Sequence, residues 1–283
     1  MTAQDVSAAY CEAQVRRLDP DRHFCAMLAP PDRRADLFAL YAFNQEIAAT
    51  REQVSERMLG QIRLQWWREA IDGIYAGTPR RHQVVQPLAA AIQRHGLDRA
   101  LFDRMIDTRE TDLDDGPPAD LAALERYAEG TGATLAALAL QALGVAGPAA
   151  ASASRAVGVA WALTGLLRAV PHHARYKRVF LPGELLAAEQ VRIGDLFELR
   201  AGAGLPAVAR QVADAAREQI VSARVWRRDL PRAALPVLLQ ARLAELYLDR
   251  LRRHGYNPLS PEATRRPALA AWHMALSLLL GRY

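Results

Sequence analysis

The sequence predicts an all-α protein that folds as one helical domain. Hydrophobic residues make up 51% of the 283 residues, and they recur at helical spacing along almost the whole chain. Runs of alternating apolar and polar residues with β-branched enrichment, which would indicate strands, are hard to find. No internal repeat and no long polar linker divides the sequence, so we expect a single domain over residues 1–283.

Glycine and proline separate the predicted helices. The breaks lie at Pro30-Pro31, Gly77-Thr78-Pro79, Gly96, Gly116-Pro117-Pro118, Gly147-Pro148, Pro182-Gly183, Gly202–Pro206, Pro231 and Gly255–Pro261. Between them we predict helices over residues 4–18, 32–51, 54–76, 83–95, 98–111, 119–144, 149–170, 206–228, 232–253 and 263–281. Ser55 and Asp98 have side chains that cap helix N-termini, and each is expected to cap the helix that follows it.

The charge balance favours anionic partners. The formal net charge is +5 and the pI is about 9.5, which attracts phosphates and acidic membrane surfaces. The 31 acidic residues are interspersed with the 36 basic ones, and we find no basic tail, zinc-finger spacing or RNA-binding aromatic motif. We therefore expect no nucleic-acid partner.

Cysteine content and the N-terminal segment indicate a cytoplasmic protein. Cys11 and Cys25 are the only cysteines, too few for a disulfide scaffold. The first 20 residues contain acidic side chains and no apolar run typical of a secretory signal. The longest apolar stretches, residues 134–147 and 268–281, fall short of the roughly 20 residues that span a bilayer. We expect both to be buried core helices, with contact to a membrane surface as an alternative for the second.

Two segments carry the candidate ligand-binding side chains. In residues 37–54, the side chains of Tyr41, Gln45, Ala48 and Glu52 are spaced to share one helix face. In residues 158–182 the corresponding face carries Trp161, Gly165, Arg168 or Ala169, and His172 or His173. If these faces oppose each other, they enclose a central cavity of the kind that helix bundles use for ligands.

The first segment resembles a motif of the squalene and phytoene synthase family, an all-helical group of isoprenoid synthases. That motif is similar to LYAFCRxxDDxxD, and Leu40–Gln45 reads LYAFNQ. Ala48, Ala49 and Glu52 then stand where the family has three aspartates. Gln45 replaces an arginine that, by the same resemblance, would contact diphosphate.

The second segment is similar to the family sequence QLTNILRDVxxD followed by GRxYLP. Residues 162–170 read ALTGLLRAV and residues 177–182 read KRVFLP. Ala169 and His173 replace the two aspartates, and Pro171 should kink or end the helix. Further matches extend the resemblance over roughly residues 20–280: RLQWWR at 63–68, GTP at 77–79 and YAEGTG at 127–132.

The resemblance implies an isoprenoid-synthase-like fold without the family's chemistry. Family enzymes join two prenyl diphosphates and hold Mg²⁺ with aspartates on opposed helices. Mg²⁺ needs hard oxygen ligands to stabilise charge on the departing phosphate. Glu52 is the only carboxylate left at those positions, and the imidazole of His173 suits zinc or copper better than magnesium. We expect no catalytic residue, no metal site and no cofactor.

The altered motifs resemble one branch of the family: the assembly factors of mitochondrial complex I and their bacterial relatives. This resemblance implies a non-catalytic role in assembling the NADH:quinone oxidoreductase at the inner membrane, with complex I subunits or assembly intermediates as partners. The first alternative is an active head-to-head prenyltransferase of the phytoene or squalene synthase type, which would need Mg²⁺. The second is a membrane-surface scaffold without a small ligand.

A basic cluster follows the second motif. Arg168, Arg175, Lys177 and Arg178 lack the carboxylates and metal ions that would balance them in a synthase, so they predict an anion site for a phospholipid headgroup or a prenyl phosphate. The alternative is a solvated basic loop. The complete set of candidate ligand-binding residues is Tyr41, Gln45, Glu52, Arg63, Trp161, Arg168, His172, His173, Arg175 and Arg178.

Two pairs of adjacent aromatic residues have simpler interpretations. His172 and His173 point in different directions on a helix, and no second His or Cys cluster accompanies them, so they should face solvent or ligand rather than a zinc ion. Of Trp66 and Trp67, at least one should face the core or a partner, and we expect core packing.

Two charged clusters lie outside the motifs. An acidic run before a Gly-Pro-Pro turn predicts a solvated loop: Asp112, Asp114 and Asp115. A basic cluster around Trp226 fits either a solvated face or interfacial contact with a membrane: Arg224, Arg227 and Arg228.

Overall fold

The computed structural model describes residues 3–54 and 56–283, and only the backbone of residues 3–5. These residues form helices, turns and short connections without a strand, which confirms the all-α prediction. Two compact units are present: Met1–Asp114 with Thr134–Ser154 and Arg228–Leu238, and Asp115–Ala133 with Arg155–Arg227 and Leu239–Tyr283. A single domain over residues 1–283 stays a prediction.

The α-helices follow one another with short connections. In chain order they are α1 (Ala3–Leu18), α2 (Pro20–Met27), α3 (Pro31–Ala48), α4 (Arg57–Tyr75), α5 (Val85–His95), α6 (Arg99–Glu110), α7 (Leu121–Ala128), α8 (Thr134–Ala142), α9 (Pro148–Arg168), α10 (Val170–Arg175), α11 (Gly183–Ala188), α12 (Ile193–Phe197), α13 (Leu205–Val225), α14 (Leu235–Arg253), α15 (Pro261–Thr264) and α16 (Ala270–Leu280).

Most predicted helices are present, but three are divided. The helix predicted over 119–144 becomes α7 and α8, separated by the π-helical turn Glu129–Ala133. The one predicted over 149–170 becomes α9 and α10, because Pro171 disfavours continuation and the chain breaks at Ala169, as expected. The one over 263–281 becomes α15 and α16. The short helices α2, α11 and α12 were not predicted.

The predicted caps have different outcomes. Asp98 Oδ1 accepts a hydrogen bond from the N–H of Ala100 at 3.0 Å, which confirms it as the N-cap of α6. Ser55 lies outside the described residues. Asp19 caps α2 in the same way, since its carboxylate accepts from the N–H of Arg22 at 2.9 Å.

Helix α3 forms the core of the first unit. Its residues from Asp36 to Asn44 are buried all round, which is the property of a helix enclosed by other helices. The ring of Phe43 packs edge-on against Trp67 of α4 at 5.3 Å between centroids. Trp67 is 1% exposed, so the prediction of a core tryptophan in this pair is confirmed.

A buried carboxylate ties α3 to α5. Asp36 Oδ2 lies 2.7 Å from Nε2 of His95, and both side chains are buried. Arg33 donates to Nδ1 of His95 at 2.9 Å, so the ring proton sits on Nε2 and is donated to Asp36. Arg94 completes the group with an N–H 2.6 Å from Asp36 Oδ1.

In the second unit, the π-helical turn touches α9 at two glycines. A Cβ atom added to Gly158 would overlap the Cα of Ala133, and one added to Gly132 would overlap the carbonyl of Gly158. Only glycine permits this backbone approach. The matched sequence YAEGTG at residues 127–132 therefore has a packing role here.

The apolar helices differ in burial. Helix α8 is buried, as predicted. Helix α9 is the one described helix with the length and composition to cross a membrane, and 67% of its most apolar window is buried, as in a core helix. The prediction of a buried core helix at residues 268–281 is wrong for much of α16, whose Trp272 is 69% exposed.

The acidic run also departs from its prediction. Asp114 and Asp115 are exposed, as expected of a turn, but Asp112 is 6% exposed. The adjacent Leu113 packs against Gly60, where a Cβ would collide with it, and this contact draws the segment inward. Arg109 compensates the buried charge with an N–H 3.2 Å from Asp112 Oδ2.

Candidate functional site

The first candidate segment lies on α3 and the turn after it. Tyr41 and Gln45 are one turn apart on α3, and Ala48 is its last residue. Glu52 lies in the 3-10 turn Arg51–Gln53, where its N–H bonds to the carbonyl three residues earlier at 3.1 Å. The predicted helix end at residue 51 is therefore wrong, and Glu52 does not continue the α3 face.

The surroundings of these side chains differ. Tyr41 is 1% exposed, and the guanidinium of Arg22 lies 5.7 Å from its ring centroid. Gln45 is half-buried, and neither amide atom has a hydrogen-bond partner among the described residues. A buried unpaired amide costs about 1–3 kcal/mol. Ligand binding by Gln45 stays a prediction, and Glu52 is exposed.

The carboxylate of Glu46, adjacent to Gln45, is held by two neighbouring helices. Arg63 of α4 donates from Nη2 to Glu46 Oε2 at 2.8 Å, and Gln14 of α1 donates from Nε2 to Oε1 at 3.2 Å. The candidate anion-binding residue Arg63 therefore already contacts a carboxylate within its own unit. Anion binding by Arg63 stays a prediction.

Two titratable groups lie near this ion pair. Burial raises the pKa of the Cys11 thiol to about 12, and the negative charge of Glu46 adds to the rise. Burial lowers the pKa of His82; Arg63 lowers it further and Glu46 opposes the change. Nδ1 of His82 accepts from the N–H of Val84 at 3.2 Å, so the neutral ring is protonated on Nε2. Burial thus favours the uncharged forms of Cys11 and His82.

Arg168, the last residue of α9, stacks on an aromatic ring of the second unit. Its Cζ atom lies 3.5 Å from the ring centroid of Tyr247 and 6.0 Å from that of Trp161. Trp161 is buried, and the two aromatic centroids are 6.3 Å apart. Stacking orients the guanidinium plane. The structure thus places two candidate residues together and adds Tyr247 of α14.

The histidines of α10 have different environments. His172 is exposed, and its ring centroid lies 5.0 Å from that of Tyr176. His173 is half-buried against Phe180, with centroids 4.6 Å apart. Arg178 also lies over Phe180, with Cζ 5.5 Å from the centroid. Phe180 therefore brings His173 and Arg178 to one place.

The basic cluster divides between two aromatic supports. Arg168 lies over Tyr247 and Arg178 over Phe180, while Arg175 and Lys177 are exposed. Lys177 has a φ of 53°, in the left-handed region, where the chain turns after α10. An anion site at these side chains stays a prediction.

The donor set of both segments suits an anion better than a metal cluster. Ala48, Ala49 and Ala169 provide no oxygen ligand, and the His172 and His173 rings are 5.8 Å apart between centroids. Within residues 3–54 and 56–283, no group of three or more His, Cys, Asp or Glu side chains is arranged to hold a metal ion. Arginine guanidinium groups, such as those of Arg168 and Arg178, can instead bind phosphate or carboxylate oxygens.

Sequence reasoning missed the partners that support these residues. Tyr247 is far from Arg168 along the chain, and no local spacing connects them. Glu46 was visible between two motif positions, but its pairing with Arg63 depends on how α3 and α4 pack. The aromatic residue at position 180 was part of the matched sequence KRVFLP, and this was the one available signal.

Known proteins resemble this chain over 69% to 97% of its length. NADH dehydrogenase (ubiquinone) complex I, assembly factor 6, from Bos taurus is 32% identical over 97% of this chain and 82% of its own length. The Homo sapiens protein of the same name is 30% identical over 92% of this chain and 78% of its own length. Presqualene diphosphate synthase from Rhodopseudomonas palustris is 26% identical over 69% of this chain and 70% of its own length.

Solved structures show the fold class. A dehydrosqualene synthase in complex with ligand superposes with a TM-score of 0.82 and 17% identity, covering 98% of this chain and 96% of its own. Squalene synthase HpnC from Alicyclobacillus acidocaldarius superposes with a TM-score of 0.79 and 19% identity, covering 90% of this chain and 96% of its own. The predicted isoprenoid-synthase-like fold is confirmed. A family model described as squalene/phytoene synthase matches residues 15–273, and the chain belongs to that family.

Proposed function

We propose that this protein is a non-catalytic member of its family that acts in the assembly of respiratory complex I, the NADH:quinone oxidoreductase. The observation that carries the proposal is the similarity to proteins named complex I assembly factor 6, which extends over 97% of this chain for the bovine protein. Complex I subunits or assembly intermediates are the proposed partners.

The chemistry of the motif positions supports a role without prenyl transfer. A diphosphate leaving group requires metal ions held by several carboxylates. This chain has alanine at 48, 49 and 169, and its nearby carboxylate Glu46 is already paired with Arg63 at 2.8 Å. The positive charge of Arg63 already offsets the charge of this carboxylate, and Gln14 donates to its other oxygen at 3.2 Å.

A genetic experiment tests the assembly role. Deletion of the gene in its source organism should lower the amount of assembled complex I on native gels and the membrane NADH:quinone oxidoreductase activity. Succinate dehydrogenase activity in the same membranes should be unchanged, and the wild-type gene should restore complex I. Unchanged complex I in the deletion strain would overturn the proposal.

An active head-to-head prenyltransferase is the second candidate function. The similarity to presqualene diphosphate synthase, 26% over 69% of this chain, favours it. The purified protein would be incubated with radiolabelled farnesyl or geranylgeranyl diphosphate and Mg²⁺, beside an active family member. Formation of a C30 or C40 product would establish this function instead. We expect neither product nor released diphosphate.

We also propose that the retained motif side chains bind a metal-free anion, either a prenyl phosphate or a phospholipid headgroup. Arg168 over Tyr247 and Arg178 over Phe180 are the stacked guanidinium groups that would bind it. Calorimetry with farnesyl phosphate should show binding that Arg168→Ala and Arg178→Ala weaken. Arg81→Ala, which changes an exposed arginine of the other unit, is the matched control. Equal binding by all variants would favour a solvated basic loop.

For localisation, we propose the cytoplasm, with peripheral contact at the inner face of the inner membrane. The net charge of +5 supports attraction to an acidic membrane surface. Cell fractionation should recover the protein partly with membranes and release it with high salt. Recovery only in the soluble fraction at low salt would contradict the membrane contact.

A further inference from the structure

Helix α16 carries its apolar residues on the solvent side. Leu269, Trp272, Leu276 and Leu279 follow spacings of three and four and are 63%, 69%, 44% and 74% exposed. On the opposite side, Ala270 and Met274 are buried. Soluble proteins rarely expose a contiguous apolar patch of this kind unless it binds something.

A cavity lined by arginine lies beside the exposed face. It has a volume of about 380 Å³, and four residues of α16 form part of its wall: His273, Leu276, Ser277 and Leu280. The basic side chains that line it are Arg224, Arg227, Arg242, Arg282 and His273. The basic side chains of the cavity therefore lie next to the apolar helix α16.

The main-chain oxygen of Tyr283 accepts a hydrogen bond from Nε of Arg224 at 2.8 Å, and the carboxylate of Glu245 contacts two of these arginines. Glu245 receives two hydrogen bonds from Arg224, at 2.9 and 2.8 Å, and another from Arg242. Arg227 donates to the carbonyl of Gly281 at 3.1 Å, and Arg282 is exposed. One negative charge does not balance four guanidinium groups, so the cavity attracts an anion. Arg224 is thus ion-paired, while Arg227 and Arg228 are exposed, and both alternatives for this cluster stay predictions.

The geometry of α16 fits a helix that lies on a membrane. Its 11 residues extend over about 16 Å, roughly half of a hydrocarbon core. Its sequence AAWHMALSLLL contains no acidic or basic residue other than His273. Tryptophan favours the boundary between headgroups and acyl chains. An exposed apolar face beside a basic rim is the pattern of interfacial helices on anionic lipid.

We propose that the exposed side of α16 docks on a bilayer and that the arginine-lined cavity binds the phosphate of an anionic phospholipid. A second copy of this chain is a poorer occupant, because a symmetric contact at this face would bring two basic cavities together. The assignment is independent of the assembly role. Its failure would leave the complex I proposal standing, and failure of the complex I experiment would leave this surface standing.

Vesicle sedimentation tests the apolar part of the surface. The full chain should sediment with vesicles of phosphatidylcholine mixed with phosphatidylglycerol and much less with phosphatidylcholine alone. Trp272→Glu should remove binding, whereas Ile62→Glu, at an apolar residue of α4 that is 59% exposed, should keep it. Both sites are exposed, so thermal unfolding should be unchanged. Equal sedimentation of wild type and Trp272→Glu would overturn the proposal.

The position of Trp272 has its own readout. Phospholipids with brominated acyl chains should quench part of the tryptophan fluorescence of the vesicle-bound protein. The test uses a Trp226→Phe background, because Trp226 lies between the cavity residues Arg224 and Arg227. In that background, Trp272→Phe should keep vesicle affinity and lose the quenching. Quenching that persists in Trp272→Phe would contradict insertion of α16.

The cavity is tested by removing arginines that are not bound to Glu245. Arg227→Ala and Arg282→Ala should each weaken binding to the anionic vesicles by about fivefold, and Arg81→Ala should have a smaller effect. Raised salt should reduce the difference. Equal losses for all three variants would reduce the contact to general charge attraction. In the absence of vesicles, a lower oligomeric mass for Trp272→Glu than for the wild type would identify the face as a self-association surface instead.

Discussion

Glu46 Oε2 and Arg63 Nη2 form an ion pair of 2.8 Å between α3 and α4. Glu46 lies between the motif positions Gln45 and Ala48, and Arg63 belongs to the matched sequence RLQWWR. The side chains are 16% and 32% exposed, so solvent screens the pair only in part. In this chain, two charged residues of the family's motif region stabilise the packing of two helices.

Removal of the Arg63 side chain should destabilise the folded protein, because the Glu46 carboxylate loses its ion-pair partner. Arg63→Ala leaves the Glu46 carboxylate with only the amide of Gln14, and unfolding free energy should fall by about 1–3 kcal/mol. Urea unfolding of Arg63→Ala and of Arg63→Ala with Glu46→Gln measures the difference. The double variant should recover part of the loss, because the neutral amide is less costly to bury. A double variant less stable than the single one would contradict this.

Two glycines of α9 should respond oppositely to alanine. Gly158→Ala forces a Cβ into the Cα of Ala133, and such overpacking costs about 1–3 kcal/mol. Nothing lies within 4 Å of a Cβ on Gly165, so Gly165→Ala should gain about 0.5–1 kcal/mol from helix propensity alone. Thermal unfolding should give a lower melting temperature for Gly158→Ala and a higher one for Gly165→Ala than for the wild type. Equal shifts in the same direction would contradict the close contact of α9 with the π-helical turn.

The buried Asp36 should be among the costlier carboxylates to remove. Asp36→Ala leaves the buried ring N–H of His95 without its acceptor, which costs about 1–3 kcal/mol. Arg94 also loses its contact, but its side chain is 52% exposed. Asp107→Ala is the matched control, since Asp107 also contacts an arginine, Arg68 at 2.9 Å, but is 65% exposed. Its loss should be about 1 kcal/mol or less. Similar losses in the two variants would contradict the role of burial.

Acid stability should depend on Glu245. Burial alone would raise the pKa of this carboxyl, but hydrogen bonds from Arg224 and Arg242 outweigh it and lower the pKa below the ordinary 4.5. The folded state therefore binds protons less readily than the unfolded chain. The stabilisation is present above pH 4.5 and is lost as pH falls through the folded pKa. Glu245→Gln should flatten this part of the stability curve, and an unchanged slope would contradict the assignment.

Local chemistry explains which helix features were predictable. Asp98 caps α6 and Pro171 interrupts the second motif helix because both effects act within a few residues. The end of α3 was placed three residues late, since no glycine or proline marks it. Helix α2 begins with a local signal, since Asp19 is its N-cap and Pro20 its first residue.

By itself the sequence determined the all-α class, the family and the loss of the motif aspartates. All three follow from the periodicity of apolar residues or from residue identity at a known spacing, and these do not depend on contacts between distant parts of the chain. Tertiary structure alone decided that Arg63 pairs with Glu46, that Arg168 stacks on Tyr247, that Asp112 is buried and that α16 turns its apolar side outward. Those outcomes depend on which helix faces meet, and residues far apart in the chain establish them.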